Sequence, residues 1–351
     1  MEAYGPYPSF DDMGWYGLSY TRIHEVLGNR STETFLQTAL DIFNWCWETG
    51  WDHSGTCQGG FWFDNTFNTK QTITNVQMLQ LAARLYRLTG NKDILQKLNK
   101  ISLYISANGL IDPDTYLVAD GALPNCTSNK GEGYTYNSGV MIGALTELYK
   151  ITNKTSYLDI ADKMGQAVIR HYCNSTTGIL VEPCEPNCDN DALMFKGIFV
   201  RYLRYFMDVL PDKHARDWYQ VWLDTQVKYN TANNICDKVP ISKCNITFQD
   251  GPPFYNITGP VFSPHWQGPF TVGAPMQQTS VLDLFVSAIK PETRCQGPQC
   301  SYDPHNPSPQ PLTCSSHPCP DKMDCCEYSP YTSFTCCAMG QTCNKKTGIC
   351  E

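Results

Sequence analysis

The 351-residue chain carries a net charge of −8, with 42% hydrophobic and 12% aromatic residues. That apolar content can build a sizeable core in one large domain or two, while the acidic balance argues against nucleic acid or an anionic membrane surface as partner. No apolar run is long enough to span a bilayer, and eighteen cysteines are too many for a reducing compartment.

Six N-x-[ST] sequons, at Asn29, Asn125, Asn153, Asn174, Asn245 and Asn256, agree with an oxidising, secretory route and mark candidate glycosylation sites. The opening Met1-Glu2-Ala3-Tyr4-Gly5-Pro6 lacks the basic start and apolar run of a signal peptide. The expectation is a secreted or cell-wall protein whose signal lies outside this chain.

The first helix runs from about Asp12 to Leu27 and stops at Gly28. Ser31 or Thr32 caps a second, through Phe35, Leu36, Ala39, Ile42, Phe43 and Trp47. Gly59-Gly60-Phe61-Trp62 is a loop with a tight turn. A third helix begins near Thr72 and ends at Gly90, and a fourth carries Ile94, Leu95, Leu98 and Ile101. Tyr134-Thr135-Tyr136-Asn137-Ser138-Gly139 opens another pair, and Phe195-Lys196-Gly197-Ile198-Phe199 a fourth. Starts near 12, 72, 136 and 196 give a period of about 60 residues. After a Pro- and aromatic-rich break, a last helix spans Met276 to Lys290, for nine in all. Sustained strand alternation is missing, so the fold class is all-α.

Such hairpins stack as a toroid, first helix of each pair inside and second outside. The long loops then gather at one end, bringing Asp11, Trp62, Tyr134 and Phe195 together. Residues 1–290 form this domain. Residues 291–312 are a Pro-rich linker, and 313–351 a Cys-rich module too short for a core and stapled by disulfides. No disulfide is expected between this module and residues 1–290. In the helical domain, Cys236 and Cys244 bracket a short loop and are read as a disulfide, with Cys184–Cys188 a second candidate.

Asp11 and Asp12 stand just ahead of Trp15 and Tyr16. Two carboxylates beside flat apolar rings suit sugar chemistry: one acid, one base or nucleophile. An Asp before a helix more commonly caps it. Trp15, Tyr16, Trp62, Tyr134, Tyr136 and Trp266 are candidate sugar platforms, with core packing the alternative. Asn75 and Asn137 open helices in matching loops, and either cap them or bind sugar hydroxyls. Lys196 contacts sugar or is a solvated surface lysine, and Asp64 is a third carboxylate or a loop cap. The seven histidines show no metal spacing, and Cys325 and Cys326 with His317 make a poor zinc site, so no metal or cofactor is expected.

Residues 8–290 resemble glycoside hydrolase family 76, the secreted endo-α-1,6-mannanases and related fungal wall enzymes. The matching text is Asp11-Asp12-Met13-Gly14-Trp15-Tyr16, Gly59-Gly60-Phe61-Trp62, Thr72-Ile73-Thr74-Asn75, Tyr134-Thr135-Tyr136-Asn137-Ser138-Gly139, Phe195-Lys196-Gly197-Ile198-Phe199-Val200-Arg201 and Met276-Gln277-Gln278. The resemblance implies an (α/α)6 toroid and a retaining reaction on α-1,6-linked mannan, with Asp11 as nucleophile and Asp12 as acid/base. It tips the balance from capping to catalysis. A transglycosylase of the same fold, or a non-catalytic glycan-binding or structural protein, remains open. Twelve helices are expected of that toroid and this chain shows nine, so an incomplete ring with wet apolar faces is expected. Cys319-Pro320-Asp321-Lys322-Met323-Asp324-Cys325-Cys326 with Cys336-Cys337 resembles half a granulin module.

Overall fold

In a computed structural model, described for residues 9–28, 33–130, 133–237, 244 and 259–290 and for four short strands near the C-terminus, the chain divides into two compact units, 1–289 and 290–351. Among its described residues the first holds nine helices: α1 (Phe10–Leu27), α2 (Glu33–Gly50), α3 (Thr72–Thr89), α4 (Lys92–Ala107), α5 (Thr135–Thr152), α6 (Ser156–Tyr172), α7 (Phe195–Met207), α8 (Lys213–Asn233) and α9 (Pro275–Ala288). The second contains β5 (Met323–Tyr328) paired with β6 (Ser333–Ala338), and β7 (Cys343–Asn344) with β8 (Ile349–Cys350), all antiparallel. In the helical unit the strands are two-residue ladders, β1 (Lys70–Gln71) with β2 (Gly121–Ala122) and β3 (Ile235–Cys236) with β4 (Val261–Phe262).

Packing sorts the helices into two layers. α1, α3, α5, α7 and α9 touch in that order, while α2, α4, α6 and α8 back them. Every residue from Thr72 to Leu85 of α3 and from Thr135 to Leu148 of α5 is buried, as a helix enclosed on all sides requires. α4, by contrast, buries only the stripe Ile94, Leu98, Ile101, Tyr104 and Ile105. The inner helices approach through small residues. A Cβ on Gly139 of α5 would stand 2.6 Å from the Phe199 Cα of α7, and one on Gly197 of α7 would stand 2.6 Å from the Ser280 Cα of α9.

Charge also crosses the inner layer. Glu147 of α5 accepts from Arg87 of α3 at 2.8 Å and lies 3.6 Å from Arg84 Nε, while Arg87 also pairs with Glu25 of α1. Burial pushes the Glu147 carboxyl up, but Arg84, Lys150 and Arg87 together hold it below its usual range. α9 and α1 are not a packed pair. Ile23 and Val26 on α1, and Leu282, Val286 and Ile289 at α9, are exposed.

Three disulfides join described residues: Cys57–Cys126, Cys184–Cys188 and Cys236–Cys244. The first, across 69 residues, has no local spacing and was not anticipated. Cys46 and Cys173 are free thiols.

Candidate active site

The site forms where the inner helices begin. Ser9 caps α1, its hydroxyl accepting from the Asp12 N–H at 3.3 Å. A serine therefore does the capping that the alternative reading gave to the aspartates. The Phe10 N–H donates to the Phe63 carbonyl at 2.9 Å, tying the start of α1 to the Gly59–Asp64 loop. Asp11 and Asp12 both occupy the first turn, where the positive end of the helix favours them.

Their surroundings push the other way. Burial, with Asp12 and Asp191 adding repulsion, raises Asp11 to about 7, only partly offset by Gln77 and Trp15 facing the carboxyl. Asp11 Oδ1 and both polar atoms of Gln77 are buried without a hydrogen-bond partner among the described residues. Asp12 is exposed as a residue, yet partial desolvation of its carboxyl, followed by Asp191, raises it too. Burial and the neighbouring carboxylates favour the protonated form of both groups, most strongly at the more buried Asp11.

Asp120 is raised by burial, and its Oδ1 accepts from Asn137 Nδ2 at 3.0 Å. The Tyr136 phenol is also raised by burial, and Asp120, Asp11 and Glu182 act on it electrostatically, so these groups share one end of the molecule. Tyr136 stacks on Phe195 with ring centres 3.8 Å apart and 3° between planes. Tyr134 meets both rings edge-on.

Glu182 carries the start of α5. Tyr134 provides no side-chain cap. Instead the Thr135 N–H and hydroxyl donate to Glu182 at 2.7 and 2.6 Å. Burial raises this carboxyl to about 7 despite those bonds. Beside it, Glu185 accepts from Lys196, pairs with His265 Nδ1 at 2.9 Å, and takes the Glu182 N–H at 3.0 Å.

The sequence-based candidates divide on this geometry. Trp15 and Trp62 are half-buried, Tyr16 is exposed, Tyr134 is half-buried and Tyr136 keeps 8% exposure. Lys70 Nζ lies 4.6 Å from the Trp62 ring centre. Three assignments are corrected. Asn75 is fully buried, accepting from the Phe61 N–H at 2.8 Å and donating to the Phe61 and Gln71 carbonyls. It clamps a loop and has no free edge for a sugar. Lys196, 1% exposed, is neither a sugar contact nor a solvated surface residue: it pairs with Glu185 and donates to the Pro264 carbonyl at 2.9 Å. Trp266 is fully buried, 5.3 Å from Lys196 Nζ, so it offers no platform. Asn137 is also fully buried, although its Oδ1 lacks a partner. Asp64 is a loop cap, accepting from the Thr66 N–H and hydroxyl.

Sequence reasoning missed Asp120, Glu182 and Asp191. Asp120 and Glu182 sit at no spacing that marks them, whereas Asp191 lies four residues ahead of Phe195-Lys196-Gly197, a nearness to motif text that could have pointed to it. Among the sequons, Asn125 and Asn153 are exposed and Asn174 is half-buried, while Asn29, Asn245 and Asn256 lie outside the described residues. No group of metal-holding side chains occurs among the described residues, and none of their helices is long and apolar enough to cross a membrane.

Known proteins share this architecture. The α-1,6-mannanase GH76A of Salegentibacter sp. HEL1_6 superposes with a TM-score of 0.63 at 23% identity, over 80% of this chain and 75% of its own. An inactive form of that enzyme, altered at two consecutive aspartates, is known in complex with α-1,6-mannotriose. Dfg5 of Chaetomium thermophilum gives a TM-score of 0.60 at 24% identity, over 80% of this chain and 66% of its own. By sequence, mannan endo-1,6-alpha-mannosidase DCW1 of Candida glabrata is 31% identical over 186 residues, 50% of this chain and 40% of that one. Its Saccharomyces cerevisiae counterpart is 27% identical over 61% of this chain and 49% of its own length. The chain thus spans about half the length of the curated relatives it matches. Residues 2–293 match the glycosyl hydrolase family 76 pattern, and the chain belongs to that family.

Proposed function

We propose that this chain is the catalytic part of a secreted or wall-associated, retaining glycoside hydrolase that cuts α-1,6-linked mannan backbones, with Asp11 and Asp12 as its two working carboxylates. The observation that carries the reading is the pair itself. Ser9 has taken over capping, yet two consecutive aspartates remain in the first turn, one with a buried, unpartnered oxygen. Its mannanase relatives and the sugar complex of a neighbour altered at two consecutive aspartates supply the substrate class.

In a retaining reaction one carboxylate attacks the anomeric carbon while the other carboxyl gives its proton to the departing glycosidic oxygen. Water, deprotonated by the second group, then hydrolyses the glycosyl ester and restores the first. The two carboxyls must stand ~5–5.5 Å apart across the scissile bond. Consecutive helical residues project about 100° apart, which lets them flank a sugar. With Asp11 raised to about 7 and Asp12 raised as well, the pair holds a proton part of the time at neutral pH. The resemblance gives Asp11 the nucleophile's part, whereas burial puts the resting proton on Asp11. Attack by Asp11 therefore requires that proton to move to Asp12 when substrate displaces water. Trp15, Tyr16, Trp62, Tyr134 and Tyr136 are proposed to line the sugar, with Asn137 holding Asp120.

Incubation with unbranched α-1,6-mannan, read for new reducing ends by chromatography and for the anomer first released by NMR, tests the reading. Oligosaccharides of retained configuration support it. Longer products in place of new reducing ends identify a transglycosylase, and no change in the polymer refutes the catalytic reading.

A further inference from the structure

Asn125-Cys126-Thr127 is a sequon whose central residue forms the Cys57–Cys126 disulfide. We propose that glycosylation of Asn125 and closure of this disulfide compete, so that Asn125 is modified only on chains whose Cys126 is still a thiol. The proposal rests on the secretory reading above.

In the folded protein the sequon is locked. The Leu123 N–H donates to the Thr127 carbonyl at 2.8 Å, the Cys126 N–H to the Leu123 carbonyl at 3.0 Å, and the Asn129 N–H to the Gly121 carbonyl at 2.9 Å. Cys126 sits in the left-handed region at φ 65°, a conformation that no extended strand adopts. Asn125 Oδ1 accepts from the Thr127 hydroxyl at 2.7 Å and from its N–H at 3.3 Å. The hydroxyl by which a transferase recognises a sequon is thus engaged inside the loop. The disulfide fixes this loop to the 55–60 turn, where the Cys57 carbonyl accepts from Asn108 Nδ2 at 2.8 Å. Asn125 itself is exposed, so burial is no obstacle to a glycan. Chain conformation is.

Both reactions draw on the same open chain. In one, Asn125 Nδ2 loses a proton and bonds to the anomeric carbon of a polyprenyl-pyrophosphate-linked oligosaccharide, whose pyrophosphate end leaves. In the other, the two thiols give two protons and two electrons to a protein disulfide oxidant of the same compartment. Cys57 precedes Cys126 by 69 residues, about 3–14 s of synthesis at ~5–20 residues per second. Its thiol is therefore waiting when the sequon emerges, and disulfide formation takes seconds or longer. Closure on that timescale leaves an interval after Cys126 emerges in which the sequon is still open to transfer.

The test is site occupancy by mass spectrometry, on total cellular and secreted protein from a eukaryotic secretory host. Asn153, exposed and with no cysteine in its sequon, is the internal reference. Wild type should carry glycan on a minority of Asn125 sites, and Cys57→Ser should raise that fraction at least two-fold with Asn153 unchanged. Dithiothreitol during synthesis should raise Asn125 occupancy in wild type and not in Cys57→Ser. Because transfer precedes folding, the reading survives a variant that fails to fold. Full occupancy in wild type, or equal occupancy in the two proteins while Asn153 is modified, overturns the competition. Absence of glycan at every sequon overturns the secretory reading and the competition with it.

Discussion

The beginnings of α1 and α5 place the same kind of group in opposite circumstances. Asp11 and Glu182 are both carboxyls raised to about 7 by burial. Glu182 accepts two short hydrogen bonds from Thr135 and completes a helix that lacks its own cap. Asp11 begins a helix that Ser9 already caps, and its Oδ1 accepts none. A buried polar atom without a partner costs ~1–3 kcal/mol, so Asp11 is held at a cost that Glu182 does not bear. The pKa alone does not separate the two carboxyls; their partners do.

The comparison is broken most directly by removing the charges. Asp11→Asn and Asp12→Asn are each expected to lower turnover of α-1,6-mannan by about 10³-fold or more, with the helical circular dichroism unchanged. Either variant retaining comparable activity leaves that residue without a role. Azide with an activated mannoside sharpens the assignment. The nucleophile's variant yields a glycosyl azide of inverted configuration, and the acid/base variant one of retained configuration.

At α5 the opposite pattern is expected. Glu182→Ala strands two buried donors and opens a hole, a loss of about 2–4 kcal/mol read in urea melts. Glu182→Gln keeps an acceptor for the Thr135 N–H and a donor for its hydroxyl, so most of that stability should return. If Glu182→Gln unfolds as easily as Glu182→Ala, the charge rather than the cap holds α5. A smaller loss, about 1–3 kcal/mol, is expected for Gly197→Ala, whose methyl meets the backbone of α9.

Much of the frame was legible in the sequence because it is local. Helix starts near 12, 72, 136 and 196 follow from apolar periodicity and stop signals, and α1, α3, α5 and α7 begin within two residues of them. The aspartate pair was legible through its motif. Glu182 was not, since a cap reaching Thr135 from 47 residues away leaves no trace in spacing. Cys57–Cys126 escaped for the same reason. Asn75 and Lys196 lie in motif text and Trp266 in a Pro- and Gly-rich stretch, but text does not say which way a side chain points. The fold turns all three inward, onto a loop, onto Glu185 and onto Lys196.

The finest distinction between the two carboxyls is their dependence on pH. Asp11 is raised to about 7 from an ordinary 3.8. Between those values the folded protein keeps a proton that the unfolded chain has given up, so stability falls as pH rises through this window. Glu182 adds a fall of the same sign. Glu147, Asp52 and Glu185, held below their usual range by Arg and Lys partners, add stability that is lost in acid instead. The wild-type profile mixes all of these, but a difference between two proteins isolates one. Asp11→Asn has nothing to ionise. Its melting temperature relative to wild type should therefore climb from pH 4 to pH 8, by about 2–4 °C if the carboxylate's burial costs about 1 kcal/mol. Glu182→Gln should show a similar climb on top of its loss of charged hydrogen bonds. A flat difference for Asp11→Asn across that range would place its carboxyl in contact with water, with an ordinary pKa, and would remove the contrast from which the catalytic reading starts.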